Sequence, residues 1–293
     1  MSASWRIGAA LLLIGAAPAP RAATAEARAW LDACRGKDGW GDPAPPVRLF
    51  GNVAYVGSCG ITALLITGPK GHVLIDGATA NAAPAIARNI ERLGYRLRDV
   101  RLILNSHEHV DHAGGLATLR RLTGARVAAR AEARAALESG RPDAGDPQAG
   151  LLPPFAGVRV DRLVRDGEVL RVGPVVLTAH ATPGHSPGST SWSWRSCAGA
   201  DCRTIVYADS LSAVSADGYR FSDHPALVAT FRATIARVAA LRCDMLFTPH
   251  PDASDLAGRL TGAQPLGAPS ACRRYANAAA AGLNARLAKE TGG

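Results

Sequence analysis

Six consecutive residues, His107-Glu108-His109-Val110-Asp111-His112, carry three imidazoles and an aspartate of metal-ligating type, and few folds can accommodate that density of donors. The preceding run Val100-Arg101-Leu102-Ile103-Leu104-Asn105 has the length and apolarity of a buried strand. The following Ala113-Gly114-Gly115 opens a helical pattern at Leu116, Leu119 and Leu122. The donors therefore fall on a strand-to-helix loop. Alternate side chains of an extended chain point the same way, so His107 and His109 address one ion while Asp111 and His112, past the turn, address a second. Imidazole and carboxylate without thiolate suit zinc in an open catalytic site, because closed structural sites usually recruit cysteine.

Two remote histidines sit in matching settings. His185 lies in Thr182-Pro183-Gly184-His185-Ser186-Pro187-Gly188, a rigid turn after the strand-like Val175-Val176-Leu177-Thr178. His250 follows Met245-Leu246-Phe247-Thr248-Pro249, again a strand end with a proline at its exit. The six donors divide into His107, His109 and His185 for one ion and Asp111, His112 and His250 for the other, each ion keeping open positions for water and substrate. Asp76, ending Val73-Leu74-Ile75, is placed to accept a bond from a ligand imidazole and fix its tautomer. Glu108 and Gln148 are expected to be solvated, and His72, His180 and His224 to be structural.

The chain of 293 residues, 47% hydrophobic, can bury one large core. Its organisation is a loose duplication. The first half has strand patterns over Val47 to Tyr55, Thr62 to Thr67 and His72 to Ile75, then a helix from Ala83 to Leu93. The second has strand patterns over Val169 to Arg171, Val175 to Ala179, Thr190 to Trp194 and Thr204 to Tyr207, then a helix from Pro225 to Leu241. Ser139 to Val158 has no periodicity and joins the halves, and Ser270 to Lys289 reads as a covering helix. Arg6, the apolar Ile7 to Ala17 and the small residues beyond read as an export signal too short to span a membrane. Residues 1–24 are thus expected to be cleaved and 25–293 to form the domain. The formal charge of +9 comes from scattered arginines without a lysine-rich or aromatic-interleaved run, which argues against nucleic acid. Six cysteines in an exported chain argue for disulfides. Cys197 and Cys202 flank a turn and are expected to close it; the remaining pairings are open on spacing alone.

The chain resembles the metallo-β-lactamase superfamily and, more narrowly, its subclass B3. The likeness runs from Trp40 to Cys272-Arg273-Arg274-Tyr275. It is carried by the HxHxDH run, Thr182-Pro183-Gly184-His185-Ser186-Pro187-Gly188, Ser191-Trp192-Ser193-Trp194, Thr248-Pro249-His250-Pro251 and Ala208-Asp209-Ser210-Leu211-Ser212. In the last of these, other β-lactamase subclasses place a zinc-binding cysteine. The resemblance implies an α/β fold, an αββα four-layer sandwich with two Zn2+ at one rim. It implies hydrolysis of penicillins, cephalosporins and carbapenems by a metal-bridging hydroxide, with Asp111 orienting the nucleophile as well as binding metal. It further implies substrate contacts from Ser210, Ser212 and Trp40, pairings of Cys34 with Cys59 and Cys243 with Cys272, and a periplasmic monomer with no membrane contact after signal cleavage. Asp209 is expected behind the metals as a structural acid. Were it to bridge them, a lactonase, a glyoxalase II-like thioesterase or a phosphodiesterase would be the better reading.

Overall fold

The computed structural model describes residues 22–292; the expected export signal lies, up to residue 21, outside them. Two sheets are stacked face to face. The first contains β1 (Val47–Phe50), β2 (Val53–Tyr55), β3 (Leu64–Ile66), β4 (His72–Ile75), β5 (Val100–Leu104), β6 (Arg126–Arg130) and β7 (Arg162–Val164), neighbours in chain order. Its first four strands are antiparallel and its last four parallel. The second contains β8 (Val169–Val172), β9 (Val175–Ala181), β10 (Thr190–Ala198), β11 (Asp201–Tyr207) and β12 (Met245–Phe247). It too is an antiparallel meander that finishes in a parallel pair, β11 with β12.

Among the described residues, eight α-helices accompany the sheets: α1 (Ala25–Cys34), α2 (Ala83–Arg92), α3 (Val110–Ala113), α4 (Leu116–Thr123), α5 (Ala131–Ser139), α6 (Pro225–Ala240), α7 (Leu256–Leu260) and α8 (Ala271–Thr291). The period of two along a strand decides the layering. Val73 and Ile75 of β4 face the other sheet, joining Leu177, Trp192, Tyr207 and Phe247 in one core. Leu74 between them faces outward and packs with Ile86 and Ile90 of α2 and Leu116 and Leu119 of α4. Beyond the second sheet, Val206 and Leu246 meet Phe231, Ile235 and Val238 of α6 and Leu283 of α8. Strands apolar on both faces need cover on both, and the four-layer αββα sandwich provides it.

Several expected boundaries shift. The single strand from Val47 to Tyr55 is a hairpin, β1 and β2, turned at Gly51, whose φ of 55° is costly for a residue with a Cβ. The strand pattern over Thr62 to Thr67 shortens to β3, and that over Thr190 to Trp194 lengthens to β10. Strands β6 and β7 and helix α5 were not anticipated. Arg-Val-Ala-Ala-Arg in β6 lacks the β-branched run that marks a strand, and it is strand because Val127, Ala128 and Ala129 are buried between helices and the other sheet. The covering helix at the tail is α8. Among the described residues no helix is long and apolar enough to cross a membrane.

All six cysteines are paired: Cys34 with Cys59, Cys197 with Cys202 and Cys243 with Cys272. The first ties α1 to the loop after β2, the second crosses the β10–β11 hairpin between register partners, and the third ties the lead into β12 to α8.

One edge of the sandwich is also cross-linked by polar contacts. Trp192 Nε1 of β10 donates to the Asn105 carbonyl at 2.9 Å, Thr190 N to the Ser106 carbonyl at 2.7 Å, and Tyr207 Oη to Asp76 Oδ2 at 2.7 Å. Each joins one sheet to the other at the carboxyl ends of β4 and β5. Trp192 and Asn105 are fully buried, so Trp192→Phe leaves a buried carbonyl without its donor. The variant should lose about 1–3 kcal/mol of unfolding free energy, read from urea titrations followed by circular dichroism; an unchanged midpoint would mean that this tie does not hold the sheets.

Candidate metal centre

Strand geometry brings the sequence-selected donors to one edge. Leu104 ends β5 beside Ile75 of β4, and the chain then runs extended through His107 and His109 before α3 begins at Val110, carrying Asp111 and His112 in its first turns. His185 lies on the turn between β9 and β10. Gly184 before it has a φ of 146°, and a Cβ there would stand 2.5 Å from the Phe231 ring, so only glycine permits this entry to the turn. His250 follows β12, which runs parallel to β11.

The rings crowd together. Centroids lie 4.5 Å apart for His107 and His109, 4.8 Å for His107 and His185, 4.9 Å for His109 and His185, 4.2 Å for His107 and His112, and 5.0 Å for His112 and His250. One nitrogen each of His107, His109 and His185 fall within 4.8 Å of one another, as do donor atoms of His107, Asp111 and His112. His250 reaches the second group through Asp111, its Nε2 standing 3.4 Å from Oδ2. All are buried except His250, whose side chain is 40% exposed. The cluster opens to solvent on that side.

Hydrogen bonds from behind fix which nitrogen faces the cluster. His185 Nδ1 lies 2.9 Å from the Ser212 carbonyl, which can only accept, so Nε2 keeps its lone pair. His107 Nδ1 lies 2.7 Å from Asp209 Oδ1 and likewise leaves Nε2 forward. His109 is turned the other way: its Nε2 meets Asp146 Oδ2 at 2.7 Å and leaves Nδ1 to the cluster. Asp76 spends its carboxylate mainly on Ser106, through N at 2.6 Å and Oγ at 2.7 Å, and on Tyr207. His112 Nδ1 is 3.5 Å from it, a charge contact rather than a hydrogen bond. A φ of 63° at Asp76 is tolerated because aspartate enters the left-handed region more readily than most residues.

Electrostatics favour neutral imidazoles at His107, His185 and His250. Burial, then the neighbouring His112, His109 and His185, hold His107 well below the usual histidine value. Burial brings both His185 and His250 down to about 4. Burial alone would raise the Asp111 carboxyl, but His112 beside it holds it far below the usual range. Burial opposes charge on His112 as well, yet Asp111, 3.0 Å from its Nε2, and Asp76 raise it to about 10. The His112 nitrogens and Asp209 Oδ2 are nevertheless buried without a hydrogen-bond partner among the described residues. Orphaned donors beside lone pairs from several rings fit a bound cation.

Two residues read as solvated are not. Glu108 is buried, its carboxylate accepting from Ser186 Oγ at 3.0 Å and Gly188 N at 2.9 Å, because the residue between two inward histidines points back into the turn that presents His185. Gln148 is buried too, with Nε2 3.4 Å from His185 Nε2. Asp146 had no sequence signal beyond its place in an acidic, proline-containing loop. His72, His180 and His224 lie apart, His72 against Tyr95, His180 on Ser193 and His224 stacked on Tyr219. Ser210 is buried, and Ser212, exposed, holds its Oγ 3.2 Å from His185 Nδ1. Trp40 is 42% exposed on a loop whose carbonyl accepts from Ser58 Oγ. That loop packs on the turn at Gly60, which leads into Thr62 bonded to Pro249 beside His250.

Residues 56–197 match the family model described as the metallo-beta-lactamase superfamily. Among solved structures, the chain is similar to the metallo-beta-lactamase MIM-1 from Novosphingobium pentaromativorans, with 51% identity, a TM-score of 0.88, and coverage of 90% of this chain and 98% of that one. MEM-A1, a subclass B3 metallo-beta-lactamase from a soil metagenome library, gives 47% identity, a TM-score of 0.83, and coverage of 87% and 99%. A hydroxyacylglutathione hydrolase of Methylobacterium nodulans is 38% identical over 103 residues, 35% of this chain and 31% of the relative. One from Cereibacter sphaeroides is 30% identical over 180 residues, 60% of this chain and 58% of the relative. The chain thus spans between 31% and 58% of these two curated relatives.

Burial raises Glu108 from 4.5 to about 7. In the metal-free chain the folded state then keeps a proton that the unfolded state has lost between those values, so this residue makes stability fall as pH rises through that window. Glu108→Gln should flatten that fall in denaturation midpoints measured across it; identical pH profiles for both proteins would show that Glu108 is not the cause.

Proposed function

The chain belongs to the metallo-β-lactamase superfamily and, within it, to subclass B3, and on that premise we propose that it is a β-lactamase that hydrolyses penicillins, cephalosporins and carbapenems with two zinc ions. The single observation that carries the reading is the convergence of five histidines and one aspartate at the open rim of the sandwich, with His107, His109 and His185 each held from behind by the nitrogen that faces away from the cluster. His107, His109 and His185 would hold one ion, and Asp111, His112 and His250 the other. Zinc in such a pair supplies a water acidic enough to ionise near neutral pH and a Lewis acid for the carbonyl.

The chain's own residues do the rest. Asp111, ionised and nearly buried, accepts a hydrogen bond from the attacking water and aims it at the lactam carbonyl. Asp209 and the Ser212 carbonyl hold His107 and His185 from behind, keeping their lone pairs aimed as the reaction proceeds. Asp76 buttresses the loop at Ser106 that carries the first four donors. Ser210, Ser212 and Trp40 are assigned to the substrate, the serines to its carboxylate and the indole to its apolar side. The excess of basic residues, which persists without Arg6 and Arg21 of the signal segment, favours arrival of an anionic substrate. The enzyme is assigned to the periplasm as a monomer, with residues 1–24 as the cleaved signal.

The likeness to hydroxyacylglutathione hydrolases keeps thioester hydrolysis as the second reading. A bridging aspartate would favour it, and Asp209 instead lies on the far nitrogen of His107, which supports the lactamase reading. Zinc-loaded protein should hydrolyse a carbapenem and a cephalosporin, lose that activity to a chelator and leave a lactoyl-glutathione thioester intact; the reverse preference would make it a thioesterase. Asp111→Asn should cut kcat by about 10²–10⁴-fold in protein shown by elemental analysis to keep both metals, and full turnover there would remove Asp111 from the chemistry.

A further inference from the structure

The connection between α5 and β7, residues 140–161, has no regular structure, yet it contributes a fully buried carboxylate to the rear of the donor cluster. Asp146 uses both oxygens. Oδ2 meets His109 Nε2 at 2.7 Å, and Oδ1 accepts from Gln148 N at 2.7 Å. The second bond closes the turn that carries Gln148 to within 3.4 Å of His185 Nε2. Pro147 O accepts from Ala216 N at 2.8 Å, so the same turn is tied to the segment whose Ser212 carbonyl holds His185. Loop and donors form one closed circuit through a single side chain.

Resting on the proposed role of His109 as a metal ligand, we infer that Asp146 is a positioning residue that couples closure of the long loop to the tautomer of His109. His107 and His185 are held by Nδ1 and present Nε2; His109 presents Nδ1, the nitrogen nearer the backbone. A carboxylate that accepts from Nε2 selects that tautomer, and Asp146, 37 residues away in sequence, is the acceptor there. The turn that delivers Gln148 is closed by the same carboxylate, so the residue above the site and the orientation of a donor within it depend on one group.

Three substitutions separate the two bonds. In Asp146→Asn the amide oxygen can still accept from Gln148 N, but its NH2 then faces His109 Nε2 and favours the wrong tautomer. Asp146→Ala removes both bonds, and Gln148→Ala removes neither. With zinc alone as the probe and no substrate present, three readouts apply: imidazole nitrogen chemical shifts, zinc loss to a competing chelator, and hydrogen exchange of amides 143–152.

The Asn variant should shift His109 to its other tautomer and lose zinc about 10–100-fold more readily, while its loop amides stay protected. The Ala variant should lose zinc comparably and exchange its loop amides at least about tenfold faster, since a loop freed of its anchor opens locally. Gln148→Ala should retain zinc and the native tautomer. An Asn variant with unchanged tautomer and zinc retention, or an Ala variant with unchanged loop exchange, overturns the inference. Because no readout uses a β-lactam, failure of the lactamase reading would appear separately, as a wild-type protein that binds zinc and leaves carbapenems intact.

Discussion

Five imidazoles with neighbouring ring centroids between 4.2 and 5.0 Å pose the problem that the rest of the structure answers. Crowded together, they cannot all be cationic, because each charge would be both desolvated and set against its neighbours. They are also poorly satisfied as neutral rings, since His112 finds no hydrogen bond from either nitrogen. A cation removes the conflict by taking up the lone pairs that converge there. Everything that holds the rings in place can be understood as support for a geometry that is costly until a metal enters.

That support comes from a repeated device. In each sheet an antiparallel meander gives way to a parallel pair joined by a helix: β4-α2-β5 in the first, which continues parallel through β6 and β7, and β11-α6-β12 in the second, which ends there. Parallel strands deliver their carboxyl ends to the same edge, and in an open sheet ligands gather there. In both halves the earlier strand of the pair is followed by a buried acid, Asp76 after β4 and Asp209 after β11, and the later strand by donor histidines. The acids do corresponding work: Asp76 fixes Ser106 at the root of the donor loop, and Asp209 fixes His107 on it. Tyr207 and Trp192 then tie the two edges across the sandwich.

Exposure gives the cluster a direction. Four of the five rings are sealed, while His250 opens to solvent beside the loop that bears Trp40. On the opposite flank Gln148 closes over His185. Disulfides anchor the surrounding segments: Cys34–Cys59 secures the approach to Trp40, and Cys243–Cys272 pins α8 to the lead into β12. A rim lined by loops keeps its shape because those loops are bonded to the core at short intervals.

How much of this was legible in the chain order varies with the kind of residue. The donors could be read directly, because His-x-His-x-Asp-His between an apolar run and a helical pattern leaves little else for the imidazoles to do; His185 and His250 could be read from the Pro and Gly that stiffen their turns. Strand β6 could not, since its alanines become strand only through cover on both faces. Glu108 and Gln148 look like solvated polar residues by composition and are buried by contacts 80 and 37 residues away. Asp146 had no local mark beyond its acidic, proline-containing loop. Sequence by itself determined the set of candidate donor side chains, the two-half plan and the count of cysteines, because periodicity and donor chemistry are local properties. Tertiary structure alone decided which nitrogen each ring presents and which carboxylates stand behind them, because a tautomer is set by a partner across space, and those partners arrive from distant loops and from the other sheet.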